Sequence, residues 1–235
     1  MLRSLKNETR HAALIGLTLG HIKKLKSLLK EDIFTEKYLI FYGVSISRVI
    51  WKIPIFYIDP PLIRGYAMKR SVSLVHEPVL VFVNADSKCI EKSLVKNAIE
   101  DIELGKYKMF LSIPFTSSNF EKSYNRVVAP ILKDVLGINN VNFPSYSLVI
   151  GLRKYFDLDE YTLWSYEHLA LLNTLFIDKS SVRIEHSECA DTIPELFNGV
   201  EDIFIKSLAK SIINLAIRQR IIEEKLGKKL IEGLL

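Results

Sequence analysis

The sequence predicts an α/β fold, a mostly parallel sheet flanked by helices with a helical C-terminal segment. Three observations carry this. Val79-Leu80-Val81-Phe82-Val83-Asn84-Ala85-Asp86 is an apolar run that stops on a carboxylate, as expected of a short strand covered on both faces. Residues 53–58 form a second apolar run, broken by Asp59-Pro60-Pro61 and followed by the helix start Arg64-Gly65-Tyr66-Ala67. Ile90, Leu94, Ala98 and Ile102 recur at every fourth position, which reads as one apolar face of a helix over 90–104. Strands and helices that alternate through short connections build parallel sheets.

The elements follow in order. Residues 12–19 are apolar and read as the first strand, 22–30 as a short basic helix and 37–42 as the second strand, closing at Gly43. Residues 53–58 are the third strand. Residues 62–76 are a helix whose start is helped by proline, since the missing N–H costs nothing there. Residues 78–84 are the fourth strand, and Gly105 ends the helix after it. Residues 106–113 are a strand. Residues 120–136 are helical, with Pro130 expected to kink or interrupt them. Residues 143–150 read as a strand, 164–176 as a helix and 181–186 as a short strand. From residue 193 onward the chain reads mainly as helix.

Leu208, Ile212, Leu215, Ile222 and Leu226 make an apolar stripe flanked by Arg218, Arg220, Lys225, Lys228 and Lys229. That stripe suits a helix packed on the domain, a homodimer contact or a peripheral membrane-surface helix. The expected division is a main domain over 1–206 and a helical extension over 207–235.

The chain has 235 residues, enough for one large domain, and no apolar run reaches the roughly 18 residues of a membrane span. The first ten residues are too polar for a signal peptide. Cys89 and Cys189 suggest neither a disulfide framework nor a zinc cluster; both read as small buried hydrophobes or inert thiols, which suits a cytoplasmic protein. The net charge of +5 favours an anionic ligand or membrane surface. The basic residues are not interleaved with aromatics, so nucleic acid is not the expected partner.

A carboxylate just beyond the carboxyl end of a buried strand lies where open α/β sheets bind ligands. Asp86 is therefore a candidate to hold a divalent metal beside a phosphate; otherwise it caps the following helix. The order of strand, glycine-containing helix start, helix, strand and acidic end resembles the nucleotide-sugar-binding half of the GT-A glycosyltransferases, with a Rossmann-like sheet. Their metal and diphosphate motif Asp-x-Asp stands here as Asn84-Ala85-Asp86.

Further segments are similar to the glucosyl-3-phosphoglycerate synthase and mannosylglycerate synthase group, over residues 37–205 and through short motifs. Tyr124-Asn125-Arg126-Val127-Val128-Ala129-Pro130 is similar to that group's acceptor segment. Residues 143–153, ending on Arg153, are similar to its Pro-Leu-Ser-Gly-Glu segment. Trp164-Ser165-Tyr166-Glu167 stands where the group has Gly-Tyr-Gly-x-Glu, and Arg183-Ile184-Glu185-His186 where it has Arg-x-His.

The resemblance implies transfer of a hexose from a nucleotide-diphosphate sugar to a small or lipid-linked anionic acceptor, with anomeric retention. A divalent metal would neutralise the departing diphosphate. Asp86 and His186 are its implied ligands, a mixed oxygen and nitrogen set suited to Mg²⁺ or Mn²⁺. Glu167 is the candidate that positions or deprotonates the acceptor or stabilises the sugar cation. His168 is the weaker candidate beside it. Ser45, Arg64, Gly65, Asn84, Ala85 and Asp86 are the donor candidates, with Lys69 more suited to a solvated face. Tyr124, Asn125, Arg126 and Arg153 are the acceptor candidates, because guanidinium groups grip phosphate or carboxylate through a planar fork.

The sequence also departs from the family. The first strand leads into Thr18-Leu19-Gly20-His21 with no carboxylate, and the second ends in Tyr42-Gly43-Val44-Ser45 rather than acidic residues. The Pro-Leu-Ser-Gly-Glu segment lacks both Gly and Glu. The alternative function is a degenerate, non-catalytic domain that binds a sugar nucleotide or a protein partner.

Overall fold

The computed structural model describes residues 11–18, 25–41, 55–57, 64–115, 119–139, 141, 146–160, 162–163, 165–178, 181–190 and 199–234. Among these, seven strands form one sheet in the order β3-β2-β1-β4-β6-β5-β7. They are β1 (Ala12–Thr18), β2 (Phe34–Phe41), β3 (Ile55–Tyr57), β4 (Val79–Asn84), β5 (Met109–Phe115), β6 (Leu148–Leu152) and β7 (Val182–Ala190). Every pairing is parallel except those of β6, which runs antiparallel to both β4 and β5. The mostly parallel α/β architecture is thus as the alternation implies.

The apolar runs of β1 and β4 are buried on both faces, as a parallel sheet covered on both sides requires. Ala13, Ile15 and Leu17 of β1 with Leu80 and Phe82 of β4 enter one core. Ala12 and Leu14 with Val79, Val81 and Val83 enter the other. This is the period-two alternation of a strand. The first core is covered by α2 (Arg64–Leu74), α4 (Asn119–Pro130), α5 (Tyr166–Ile177) and α6 (Glu201–Arg218). The second is covered by α1 (Leu25–Leu28) and α3 (Lys92–Glu103).

One helix face shifts from the expected set, and Pro130 interrupts its helix as expected. The buried face of α3 is Val95, Ala98, Ile99 and Ile102, whereas Ile90 and Leu94 pack only partly against the core. A strict four-residue repeat drifts around a helix of 3.6 residues per turn, and the i, i+3, i+4 set holds the face. Pro130 ends the α-helical ladder, and Ile131–Val135 continues as a π-helical turn in which the Leu136 N–H donates to the Ile131 carbonyl at 3.1 Å. Proline's missing N–H removes one ladder bond, and the chain resumes in the wider register.

The expected division at residues 206 and 207 falls inside α6. Ile205 on one side and Leu208, Ala209, Ile212 and Ile213 on the other belong to the same core as the sheet. The expected stripe does not continue as one helix. The chain turns after α6 at Arg220, φ 57°, and α7 (Glu224–Glu232) packs back. A Cβ on Gly227 would meet Ile217 Cδ1 at 2.4 Å, so the glycine permits the close approach of α7 to α6. Leu226 is exposed on the far side. Among the described residues, no helix is long and apolar enough to cross a membrane.

Candidate active site at the carboxyl edge of the sheet

The chain leaves β1 for β2 and β3 on one side, and β4 lies on the other. The order therefore switches direction between β1 and β4, and ligands of open α/β sheets bind in the crevice outside such a switch point. Thr18 ends β1 and Asp86 follows β4, so both sit at this crevice. The fully buried Thr18 hydroxyl donates to Asp86 Oδ1 at 2.9 Å. The turn carrying Asp86 is pinned from both sides: the Ala85 N–H donates to the Leu17 carbonyl at 2.8 Å and the Asn84 N–H to the Ser147 carbonyl at 2.9 Å. The Asn84 amide oxygen accepts the Asp86 N–H at 3.3 Å. Asn84, Ala85 and Asp86 are thus brought together at the switch point.

Helix α2 leads into β4 and runs against it, so its first residues return to the same edge. Arg64 and Gly65 stand there in an arrangement directed at protein. Arg64 Nη1 donates to Glu167 Oε1 in an ion pair whose two side chains are almost wholly excluded from solvent. Gly65 donates its N–H to the Leu163 carbonyl at 3.1 Å, and a Cβ there would lie 1.9 Å from the Thr162 carbonyl oxygen. Its lack of a side chain serves the crossing of two backbones. Glu167, expected to face an acceptor hydroxyl, is fully buried at the start of α5 and holds the start of α2. Burial pushes its carboxyl above the usual range, against the opposing pull of the Arg64 guanidinium. Among the described residues, its Oε2 and the neighbouring Ser165 Oγ are buried without a hydrogen-bond partner.

His168 is also fully buried and is bonded through both ring nitrogens. Nε2 lies 3.1 Å from the Tyr124 hydroxyl and Nδ1 lies 2.9 Å from the Tyr146 hydroxyl. The Tyr124 hydroxyl donates to the Val141 carbonyl at 3.3 Å, so it accepts from Nε2–H, and Tyr146 donates to Nδ1. Desolvation lowers the imidazole pKa to about 3, so the ring is neutral. Tyr124 therefore braces α4 against α5, and its side chain is fully buried. Thr18 and Tyr146 are structural members of this edge that sequence patterns do not mark, because each is identified only by its partner; His168, the weaker candidate beside Glu167, is a buried structural member of the same edge.

The remaining candidates disperse. Asn125 and Arg126 lie on the exposed side of α4, and Arg126 Nη2 pairs with Asp202 of α6 at 2.7 Å. Arg153 donates its N–H to the Pro78 carbonyl at 2.8 Å, before β4 begins. It is at the opposite end of the sheet from Asp86, so it does not join an acceptor site there. Lys69 Nζ donates to the Asp159 carbonyl. Ser45 lies outside the described residues.

His186 is also separated from Asp86. Val83 and Ser112 both pair with Leu148, and Ser112 pairs with Glu185. His186 is accordingly level with Asn84 but three strands away, roughly 14 Å at the usual strand spacing. No group of three or more metal-ligating side chains occurs among the described residues. Asp86 alone suits a hard cation such as Mg²⁺ or Mn²⁺, which is commonly held by one or two carboxylates together with substrate phosphates and water.

The two cysteines are joined as a disulfide, Cys89 to Cys189, with Cα atoms 5.5 Å apart across 100 residues of sequence. This corrects their reading as separate inert thiols. Only the return of β7 to the carboxyl edge brings the sulfurs together.

No protein-family model and no curated protein matches the sequence. Among solved structures, glucosyl-3-phosphoglycerate synthase from Mycobacterium tuberculosis in complex with Mn²⁺ and UDP-glucose is similar, with a TM-score of 0.65 and 12% identity over 88% of this chain and 79% of that one. The same protein with Mn²⁺, UDP-glucose and phosphoglyceric acid gives a TM-score of 0.63 and 14% identity over 92% and 81%. Its complex with phosphoglyceric acid gives 0.64 and 14% over 92% and 82%. Likeness at this identity is a likeness of backbone, and the sheet order, the helices on both faces and the polar turn after β4 accompany it: the chain has the GT-A fold of these glycosyltransferases.

Proposed function

We propose that this chain is a glycosyltransferase that moves a hexose from a nucleotide-diphosphate sugar to a small or lipid-linked anionic acceptor, with metal assistance and retention of anomeric configuration. The observation that carries the reading is Asp86, held by Thr18 and the Asn84 turn at the switch point of a GT-A sheet. A divalent cation bound there would neutralise charge developing on the departing diphosphate. Asp86 would hold it, and Thr18 would fix the carboxylate. The Arg64–Glu167 pair fixes the starts of α2 and α5 at the same edge, and through them the shape of the crevice. Its contribution is preorganisation, since sites work best when their groups are locked by a supporting shell. UDP-glucose and phosphoglycerate, present in the similar structures, are the first donor and acceptor to test.

A second reading has its own support. Asn84 stands in place of a carboxylate, and Glu167 is sealed by Arg64. Both suit a domain that binds a sugar nucleotide without turnover.

The deciding experiment is a panel of nucleotide sugars measured by thermal shift, with and without Mn²⁺ or Mg²⁺, on wild type and Asp86→Ala, followed by mass-spectrometric detection of transfer to phosphoglycerate. Metal-dependent binding lost in Asp86→Ala, with product formed, supports the transferase. Binding without product supports the binding domain. No binding to a folded protein sinks both.

A further inference from the structure

We propose that the Cys89–Cys189 bond is a redox-controlled tie across the carboxyl edge of the sheet, which holds the Asp86 turn in the arrangement that binds the donor diphosphate. The proposal rests on the donor reading given above.

The first support is a repeated local design. Asp86-Ser87-Lys88-Cys89 leaves β4 and His186-Ser187-Glu188-Cys189 closes β7. In each, the cysteine N–H donates to the serine Oγ two residues before it, at 3.1 Å. Each cysteine is thus fixed in a tight serine turn three residues after a side chain of metal-ligating type.

The second support is where the bond runs. Strands β4 and β7 are separated by β6 and β5, so the two segments must reach over the ends of both to meet. The register of β5 with β7 slips between Pro114 and Phe115, pairing Ser187 with Pro114 but Ala190 with Phe115. The irregularity lets Glu188 and Cys189 leave the ladder. Three residues of chain, at most about 10 Å, separate Asp86 from the covalent bond. With Thr18 on one side and the disulfide on the other, the turn is anchored at both ends. Release of the disulfide removes the one covalent link of residues 87–90 to β7 and leaves them held by local hydrogen bonds and by the partial packing of Ile90 on the second core.

The third support is accessibility. Cys89 is buried, whereas Cys189 is half-buried on the edge strand of the sheet. Disulfides that act as switches must be open to an exchanging thiol. A dithiol reductant balances the step. One of its thiolates attacks Cys189 Sγ, the bond between the sulfurs breaks, and Cys89 Sγ leaves as a thiolate that takes up a proton. The second thiol of the reductant then displaces Cys189 Sγ, which also gains a proton. The protein gains two electrons as two thiols, and the reductant becomes a disulfide. A disulfide oxidant reverses the sequence.

The test compares oxidised wild type, dithiothreitol-reduced wild type and the Cys89→Ser/Cys189→Ser double variant. Alkylation with mass spectrometry counts the thiols, hydrogen exchange follows peptides spanning 84–90 and 182–190, and calorimetry titrates UDP in the presence of Mn²⁺. The expected result is faster exchange over 84–90 on reduction and at least a tenfold loss of UDP affinity, both restored by reoxidation. The double variant should match the reduced protein; should it fail to fold, the reduced wild type carries the comparison alone. Unchanged exchange in verified reduced protein overturns the tie, and loosened exchange with unchanged affinity overturns its link to the donor. UDP binding in neither state overturns the donor reading and with it the proposed ligand, a failure told apart by exchange data that still show the tie.

Discussion

The Thr18 hydroxyl donates to Asp86 Oδ1 at 2.9 Å, which joins the last residue of β1 to the turn that follows β4. The bond spans the point where the strand order reverses, and it fixes the one carboxylate among the donor candidates. Asp86→Ala should therefore abolish metal-dependent stabilisation by a bound nucleotide sugar, about 2.7 kcal/mol at a ligand concentration 100 times its dissociation constant. Thr18→Val keeps the shape and removes the hydroxyl. It should cost the unliganded protein about 1 kcal/mol and weaken donor binding. Thermal shifts with and without Mn²⁺ check both.

The Arg64–Glu167 pair predicts strong coupling. Arg64→Met removes the cation beside a buried carboxylate, and Glu167→Leu removes the carboxylate beside a buried guanidinium, so each single change should cost about 3–5 kcal/mol. The double variant should cost clearly less than the sum, because neither charge is then left unpaired. Urea denaturation of the four proteins closes the cycle. Additive losses would mean that the two side chains do not depend on each other.

His168 predicts acid lability. Its folded pKa of about 3 lies below the ordinary value of 6.5. Between those values the unfolded chain binds a proton that the native state does not. Stability is fully present above pH 6.5 and falls as pH drops toward 3, by up to about 1.4 kcal/mol per pH unit. His168→Asn lacks this group. Its stability at pH 7.5 should be lower by about 2 kcal/mol, since two buried tyrosine hydroxyls lose partners, but its loss between pH 6.5 and 4.5 should be shallower. Urea midpoints at several pH values read the difference in slope.

Gly65 predicts a backbone clash. A Cβ at 1.9 Å from the Thr162 carbonyl oxygen meets main chain, which cannot rotate aside. Gly65→Ala should cost about 3 kcal/mol, at the upper end of ordinary overpacking. Gly137 has φ +65° and open space around its Cα, so Gly137→Ala should cost only about 1–2 kcal/mol through its left-handed backbone. Equal losses in urea melts would refute the distinction.

How far the site was legible follows from range. Asp86 was marked by a local pattern, a buried apolar strand ended by a carboxylate, and the structure places it at the switch point. Glu167 and Arg64 were marked as charged residues at helix starts, but their pairing across 103 residues was not visible. Tyr124 carried a motif and is nevertheless a core residue, because α5 presents His168 to its hydroxyl. Arg153 and His186 were sorted by strand register, which sequence order does not state.

By itself the sequence determined the alternation of strands and helices, the two-sided burial of β4, and the position of Asp86. These depend on hydrophobic periodicity and chain breakers, which act within a few residues. Only the tertiary structure decided that β6 enters antiparallel, that α6 belongs to the core, that Arg64 seals Glu167 and that Cys89 meets Cys189. Each of these is a contact between segments far apart in the chain, fixed by the cooperative packing of two cores rather than by any local preference of the residues that make it.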